Sequence, residues 1–164
     1  MFFDPTYISR AKIWLKKANN IKDISEDQLY CKFFFLWTAF NSLYNLKGSI
    51  DKILEVLEDG EVKFILEKNK DCYLSLKNDF IINMDRPNIY NIAQSFVGNE
   101  EIKDNFNYTV EELKKIINKI RIIRNNLAHG SKEGIQRDRD LIKISIPILE
   151  ETIVVLLKKC NYNK

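Results

Sequence analysis

Glycine and proline are scarce here, 5 and 3 residues of 164. That is too few for the turn density of an all-β fold and far from any collagen-like or linker composition. Cysteine is scarce as well. Cys31, Cys72 and Cys160 are odd in number, widely spaced and without a CxxC pair, so neither a disulfide framework nor a zinc knuckle is expected. The single histidine, His129, excludes a multi-histidine metal site within one chain. No apolar run approaches the roughly 20 residues of a membrane helix, and IVVLL near the C-terminus is far shorter. The start MFFDPT lacks the basic segment and apolar core of a signal peptide. These absences predict a cytoplasmic chain with reduced thiols, no membrane span, and no metal or cofactor.

Apolar residues make up 45% and charged residues 30%, the balance of a folded protein rather than a disordered one. The length suits one domain over residues 1–164.

Helical periods run through most of the sequence. Asp4-Pro5 has the form of an N-cap followed by proline at the first helical position, and Ile8, Ala11, Trp14, Leu15 and Ala18 follow at helical spacing. Ser25 and Gln28 form a capping box, opening a helix with Leu29, Phe33, Leu36, Phe40 and Leu43 on one stripe and Gly48 at its end. Phe34, Phe35, Trp37 and Tyr44 widen that stripe, so burial on more than one side is expected. Ile50, Ile53, Leu54 and Leu57 predict a short helix stopping at Gly60, and residues 62–83 one or two more. Loops are expected around Arg86-Pro87-Asn88 and Phe96-Val97-Gly98-Asn99. Thr109 with Glu112 is a second capping box, predicting a helix to about His129 with Gly130 as its C-cap. After the loop GSKEG, a last helix is predicted from Ile135 to Cys160, kinked at Pro147. The expected fold is all-α, an antiparallel up-and-down helical bundle with additional short helices in the middle.

The net charge is +3. Residues 111–164 hold 12 Lys and Arg against 7 Asp and Glu, and the remainder 14 against 16, so the C-terminal third is the basic part. That third also holds the only histidine. On a helical wheel at about 100° per residue, Leu113, Ile116, Ile117, Ile120, Ile123 and Leu127 share one arc. Arg124 falls within it, between Ile117 and Ile120. A guanidinium there is costly unless paired or facing a wet cleft. Opposite lie Asn118, Ile122, Asn125 and His129, and the lone isoleucine suggests a contact with another subunit.

Histidine is the side chain best matched to proton transfer near neutral pH, and arginine binds phosphate bidentately. Together they suit metal-free RNA cleavage, in which the 2′-hydroxyl attacks the adjacent phosphate. The products are a 2′,3′-cyclic phosphate and a 5′-hydroxyl. Two proton-transfer groups serve this best, and a two-fold dimer of a one-histidine chain supplies them.

The run Arg124-Asn125-Asn126-Leu127-Ala128-His129, an arginine followed by a polar residue and then a histidine after four intervening positions, resembles the signature of the HEPN superfamily. The aromatic helix FLWTAFNSLY resembles a core helix of many bacterial members. The likeness covers that helix and roughly residues 109–160; residues 48–108 carry no matching motif. It implies a helical bundle that dimerises with both motifs meeting in one cleft. Active members are metal-independent endoribonucleases, hydrolases of toxin–antitoxin or antiviral defence systems. Other members keep the fold as nucleotide-, nucleic-acid- or protein-binding modules. Carried over, Arg124 engages phosphate, Asn125 orients it and His129 transfers protons, with Arg121 and Lys132 as candidate RNA-binding residues. The implied partners are RNA, a second copy of the chain and an antitoxin protein. In toxins paired with a nucleotidyltransferase, a tyrosine two positions after the histidine commonly receives AMP. Ser131 stands there, so adenylylation is not part of the expectation.

Each residue also has a structural reading. His129 before Gly130 is a cation at a helix C-terminus, where the macrodipole favours one, and Arg121 is equally a solvated charge. Asn126 reads as structural. Asn41 and Tyr44 either hydrogen-bond within the core or line the cleft. A helical assembly protein with Arg124 in an intrachain salt bridge is the reading outside nucleic-acid chemistry.

Overall fold

The computed structural model describes residues 4–22, 25–78, 107–128 and 136–162. The described residues form helices α1 (Pro5–Asn19), α2 (Glu26–Tyr44), α3 (Ile50–Leu54), α4 (Asp59–Lys68), α5 (Lys70–Asn78), α6 (Val110–Ala128) and α7 (Gln136–Tyr162), and no strand is found among them. The all-α expectation holds there. The loops expected at 86–88 and 96–99 lie outside the described residues, as do residues 79–83.

Helix starts are set by the side chains the sequence supplies. Asp4 Oδ1 accepts the Thr6 N–H at 2.8 Å, with Pro5 beginning α1. The Ser25 N–H donates to Gln28 Oε1 at 3.4 Å, and Thr109 Oγ1 accepts the Glu112 N–H at 3.3 Å. Each occupies a backbone group that a helix start leaves orphaned. After α2 the chain leaves through Gly48, whose N–H donates to the Tyr44 carbonyl at 2.9 Å and whose φ is +81°.

One expectation needs correction. The helix from Ile50 stops at Leu54, not at Gly60, and Gly60 lies in the first turn of α4. A start signal outweighs the glycine: the Glu58 N–H is accepted by Glu61 Oε2 at 2.9 Å, while Val56 and Leu57 close short i→i+3 turns on Ile53 and Leu54. The last helix, Gln136–Tyr162, holds Pro147 in its interior, as the sequence predicts. Proline removes a donor there, but the helix is held on its buried face by Ile142, Ser145, Ile146, Ile148 and Leu149.

These two glycines give opposite expectations for one substitution. Gly48→Ala should destabilise by about 1–2 kcal/mol, the cost of a side chain in the left-handed region, because no neighbouring atom lies within 4 Å. Gly60→Ala is equally unobstructed and helical, so it should stabilise by about 0.4–1 kcal/mol. Urea denaturation of the two variants checks both signs.

Ion pairs fix the directions of the helices. The 55–58 turn meets the start of α6 through Lys114–Glu55 at 3.0 Å and the end of α7 through Lys159–Glu58 at 2.8 Å. The two helices therefore run antiparallel. α4 also opposes α7, with Glu61 at Lys159 (3.0 Å) and Lys68 at Glu151 (2.6 Å). α2 runs with α7: Lys32 approaches Glu150 at 3.7 Å, and Lys47 is near enough to Cys160 to act on it electrostatically. α1 folds back along α2 and also touches α7. α7 thus packs against α1, α2, α4, α5 and α6.

The core follows the periodicity. Leu29, Phe33, Leu36, Phe40 and Leu43 of α2 are buried, with Trp37 and Ala39. α1 and α7 cover α2 on two sides, which is why its apolar arc is wide. Leu113, Ile116, Ile117, Ile120 and Ile123 of α6 are buried and Leu127 packs half-buried against them. All three cysteines are free thiols, with Cys160 buried. No helix among the described residues is long and apolar enough to cross a membrane.

Candidate functional site

Residues 124–128 of the motif lie on the last turns of α6. Arg124 emerges beside the buried Ile120 and Ile123 and is itself half-buried. Its Nη1 donates to Asn125 Oδ1 at 3.0 Å. Its Nε is buried and has no hydrogen-bond partner. Among the described residues Asn125 is the only polar partner of this guanidinium, and no carboxylate pairs with it. The salt bridge that a purely structural arginine would make is absent among them. A buried donor left unsatisfied costs about 1–3 kcal/mol. Of the five N–H donors of an arginine, only one has an acceptor among the described residues.

Asn125 makes a contact that its spacing does not predict. Its carbonyl oxygen is turned onto Arg124, which holds the guanidinium plane although adjacent residues diverge by about 100° on the wheel. Arg121, three residues earlier, is exposed, and Ile122 is half-buried. His129, Gly130, Ser131 and Lys132 lie outside the described residues. The structure therefore brings Arg124 and Asn125 together, with Arg121 at the surface of the same helix.

Facing this end of α6 is the opening of α7, since the two helices are antiparallel. Asp138 is buried in that first turn and Arg139 is half-buried beside it. The run QRDRD reads as a solvated start of a helix, so neither residue stood out in the sequence.

A second polar group lies in the core. Tyr73, buried on α5, donates to Glu112 Oε1 at 3.1 Å, and Lys77 Nζ lies 3.3 Å from the same oxygen. Burial pushes the Tyr73 phenol above its ordinary value, and the Glu112 carboxylate adds to that. Lys119 Nζ donates to the carbonyls of Leu76 (2.6 Å) and Lys77 (2.8 Å) at the end of α5. These contacts seat α5 on α6. The sequence carried a signal for Glu112, which sits at the edge of the core arc, about 20° from Ile123. Asn41 accepts from Asn45 Nδ2 at 3.5 Å, and the Tyr44 ring meets Phe40 edge-on at 5.8 Å. Both belong to the end of α2 that approaches Cys160, away from Arg124.

Among the described residues no group of three or more His, Cys, Asp or Glu side chains is placed to hold a metal ion. No protein-family model matches the chain, and neither a curated protein nor a solved structure gives a significant match.

Proposed function

We propose that this protein is a HEPN-like, metal-independent endoribonuclease, an effector of a bacterial toxin–antitoxin or antiviral defence system acting as a cytoplasmic homodimer. The observation that carries the reading is Arg124: a guanidinium on the core side of α6, without a carboxylate among the described residues, with a buried Nε lacking any acceptor. Such a group suits a phosphate, which accepts two parallel N–H bonds and gains charge as the 2′-oxygen attacks. The alternating directions of α1, α2, α6 and α7, with the short helices between α2 and α6, also support it.

In this mechanism Arg124 binds the scissile phosphate and Asn125 keeps the guanidinium in plane. His129, five residues on, serves proton transfer. As a base it takes the 2′-hydroxyl proton; as an acid it delivers a proton to the departing 5′-oxygen. A second chain supplies the second imidazole, because each chain has one histidine. The bond made is from the 2′-oxygen to phosphorus, and the bond broken is from phosphorus to the 5′-oxygen.

End-labelled total RNA incubated in EDTA with the wild type and with His129→Ala tests the reading. Cleavage by the wild type alone is expected, with the variant slower by about 10²–10⁴. Equal cleavage by both would place the activity elsewhere. Binding without cleavage by the wild type would favour the non-catalytic HEPN module instead.

A further inference from the structure

Charge in the folded chain is distributed differently from charge in the sequence. Many lysines of the basic C-terminal third are matched: Lys114 contacts Glu55 and Glu111, Lys115 approaches Glu112, and Lys159 contacts Glu58 and Glu61. α1 holds three exposed exceptions. Residues 5–22 contain Arg10, Lys12, Lys16, Lys17 and Lys22 and no acidic residue. Arg10, Lys16 and Lys17 are exposed, and no carboxylate among the described residues pairs with them. Two of them lie over rings instead. Lys17 Nζ is 4.2 Å from the centroid of Trp14 and the Arg10 guanidinium 5.9 Å from that of Tyr7. Such contacts hold a cation in place without neutralising it.

The position of this face matters. α1 folds back along α2 and α2 runs with α7, so Lys16 and Lys17, in the last turn of α1, lie toward the same end of the bundle as the start of α7 and the end of α6. We propose that the exposed side of α1, with Arg10 and Lys17 on one flank and Lys16 on the other, is a contact surface for the phosphate backbone of RNA. It rests on the reading of RNA as substrate. An anionic membrane fits less well. A helix lying in a bilayer surface needs a broad apolar face of its own, whereas Ile8, Ala11 and Ala18 are buried and Trp14 and Leu15 pack on the core. Ile13, 52% exposed, is the one large apolar side chain exposed on α1. A hydrated face read by charge fits a polyanion.

The test uses a fluorescein-labelled oligoribonucleotide with 2′-O-methyl groups throughout, which binds without being cut. Its affinity for the wild type and for Arg10→Gln/Lys16→Gln/Lys17→Gln is measured by anisotropy over a salt series. The expected result is a Kd raised about 10–100-fold and a salt slope shallower by about 2, as for three lost contacts to a single strand. An unchanged Kd and slope would overturn the proposal. So would a wild type that does not bind this RNA, whether or not it binds phosphatidylserine vesicles. Cleavage of unmodified RNA separates this surface from the nuclease reading. If the wild type cuts and the triple variant binds like it, the surface fails alone. If nothing is cut but the triple variant loses binding, the nuclease reading fails alone.

Discussion

Arg124→Ala is expected to slow RNA cleavage by about 10²–10³, the loss typical of one preorganised group facing developing charge, while leaving the protein about as stable as the wild type. The two halves come from the same geometry. The Arg124 Nε is buried without an acceptor and Nη1 has only Asn125, so the folded protein carries an unsatisfied donor that an alanine removes. Against that gain stands the lost packing of the aliphatic stem, and the two are of similar size. A structural arginine behaves in the opposite way: truncating one partner of a buried pair costs about 3–5 kcal/mol. Single-turnover cleavage and urea denaturation, read on the same preparation, distinguish the two. A large fall in stability with a proportionate fall in activity would assign Arg124 to the scaffold. Arg124→Lys refines this, since a lysine keeps the charge but loses the planar fork. A partial recovery of rate is expected.

The largest effect on the fold is expected from Phe40→Ala, at about 3–5 kcal/mol. Phe40 is fully buried and its ring lies between Trp37 at 5.7 Å and Tyr44 at 5.8 Å. Truncation leaves a cavity between well-packed rings, where collapse is poorest. Phe64→Ala is the control: Phe64 is 50% exposed and should change stability by no more than about 0.5 kcal/mol. Similar losses at the two sites would contradict the packing described here.

Much of the fold was legible because its signals are local. The caps at Asp4, Ser25 and Thr109 and the stripes of α2 and α6 each follow from spacing of a few residues, and each appears where that spacing puts it, although at Thr109 only half of the capping box forms because the Glu112 carboxylate turns to Tyr73 and Lys77. Gly60 was misread for the same reason. Glycine is a weak stop in isolation, and the Glu58–Glu61 cap competes with it only once the 55–58 turn is seen. At the candidate site, the conflict between Arg124 and its apolar arc was visible in the sequence, since a wheel places a residue relative to its own helix. Asn125's hold on that guanidinium was not, because the wheel sends neighbouring side chains apart. The lack of carboxylate partners at Arg10, Lys16 and Lys17 was hidden for another reason. Which lysines are neutralised depends on contacts as distant in sequence as Glu58 and Lys159, and a regional sum of charges cannot distinguish them.

The most direct test of the central claim is the 2′-hydroxyl itself. RNA that the wild type cuts is resynthesised with a single 2′-deoxy sugar at the cut position, and the products of both substrates are identified by mass spectrometry. The expected products are 2′,3′-cyclic phosphate and 5′-hydroxyl ends from the unmodified RNA, with no cut at the deoxy position. Cleavage of the deoxy substrate at that bond, or products ending in 3′-hydroxyl and 5′-phosphate, would contradict that claim.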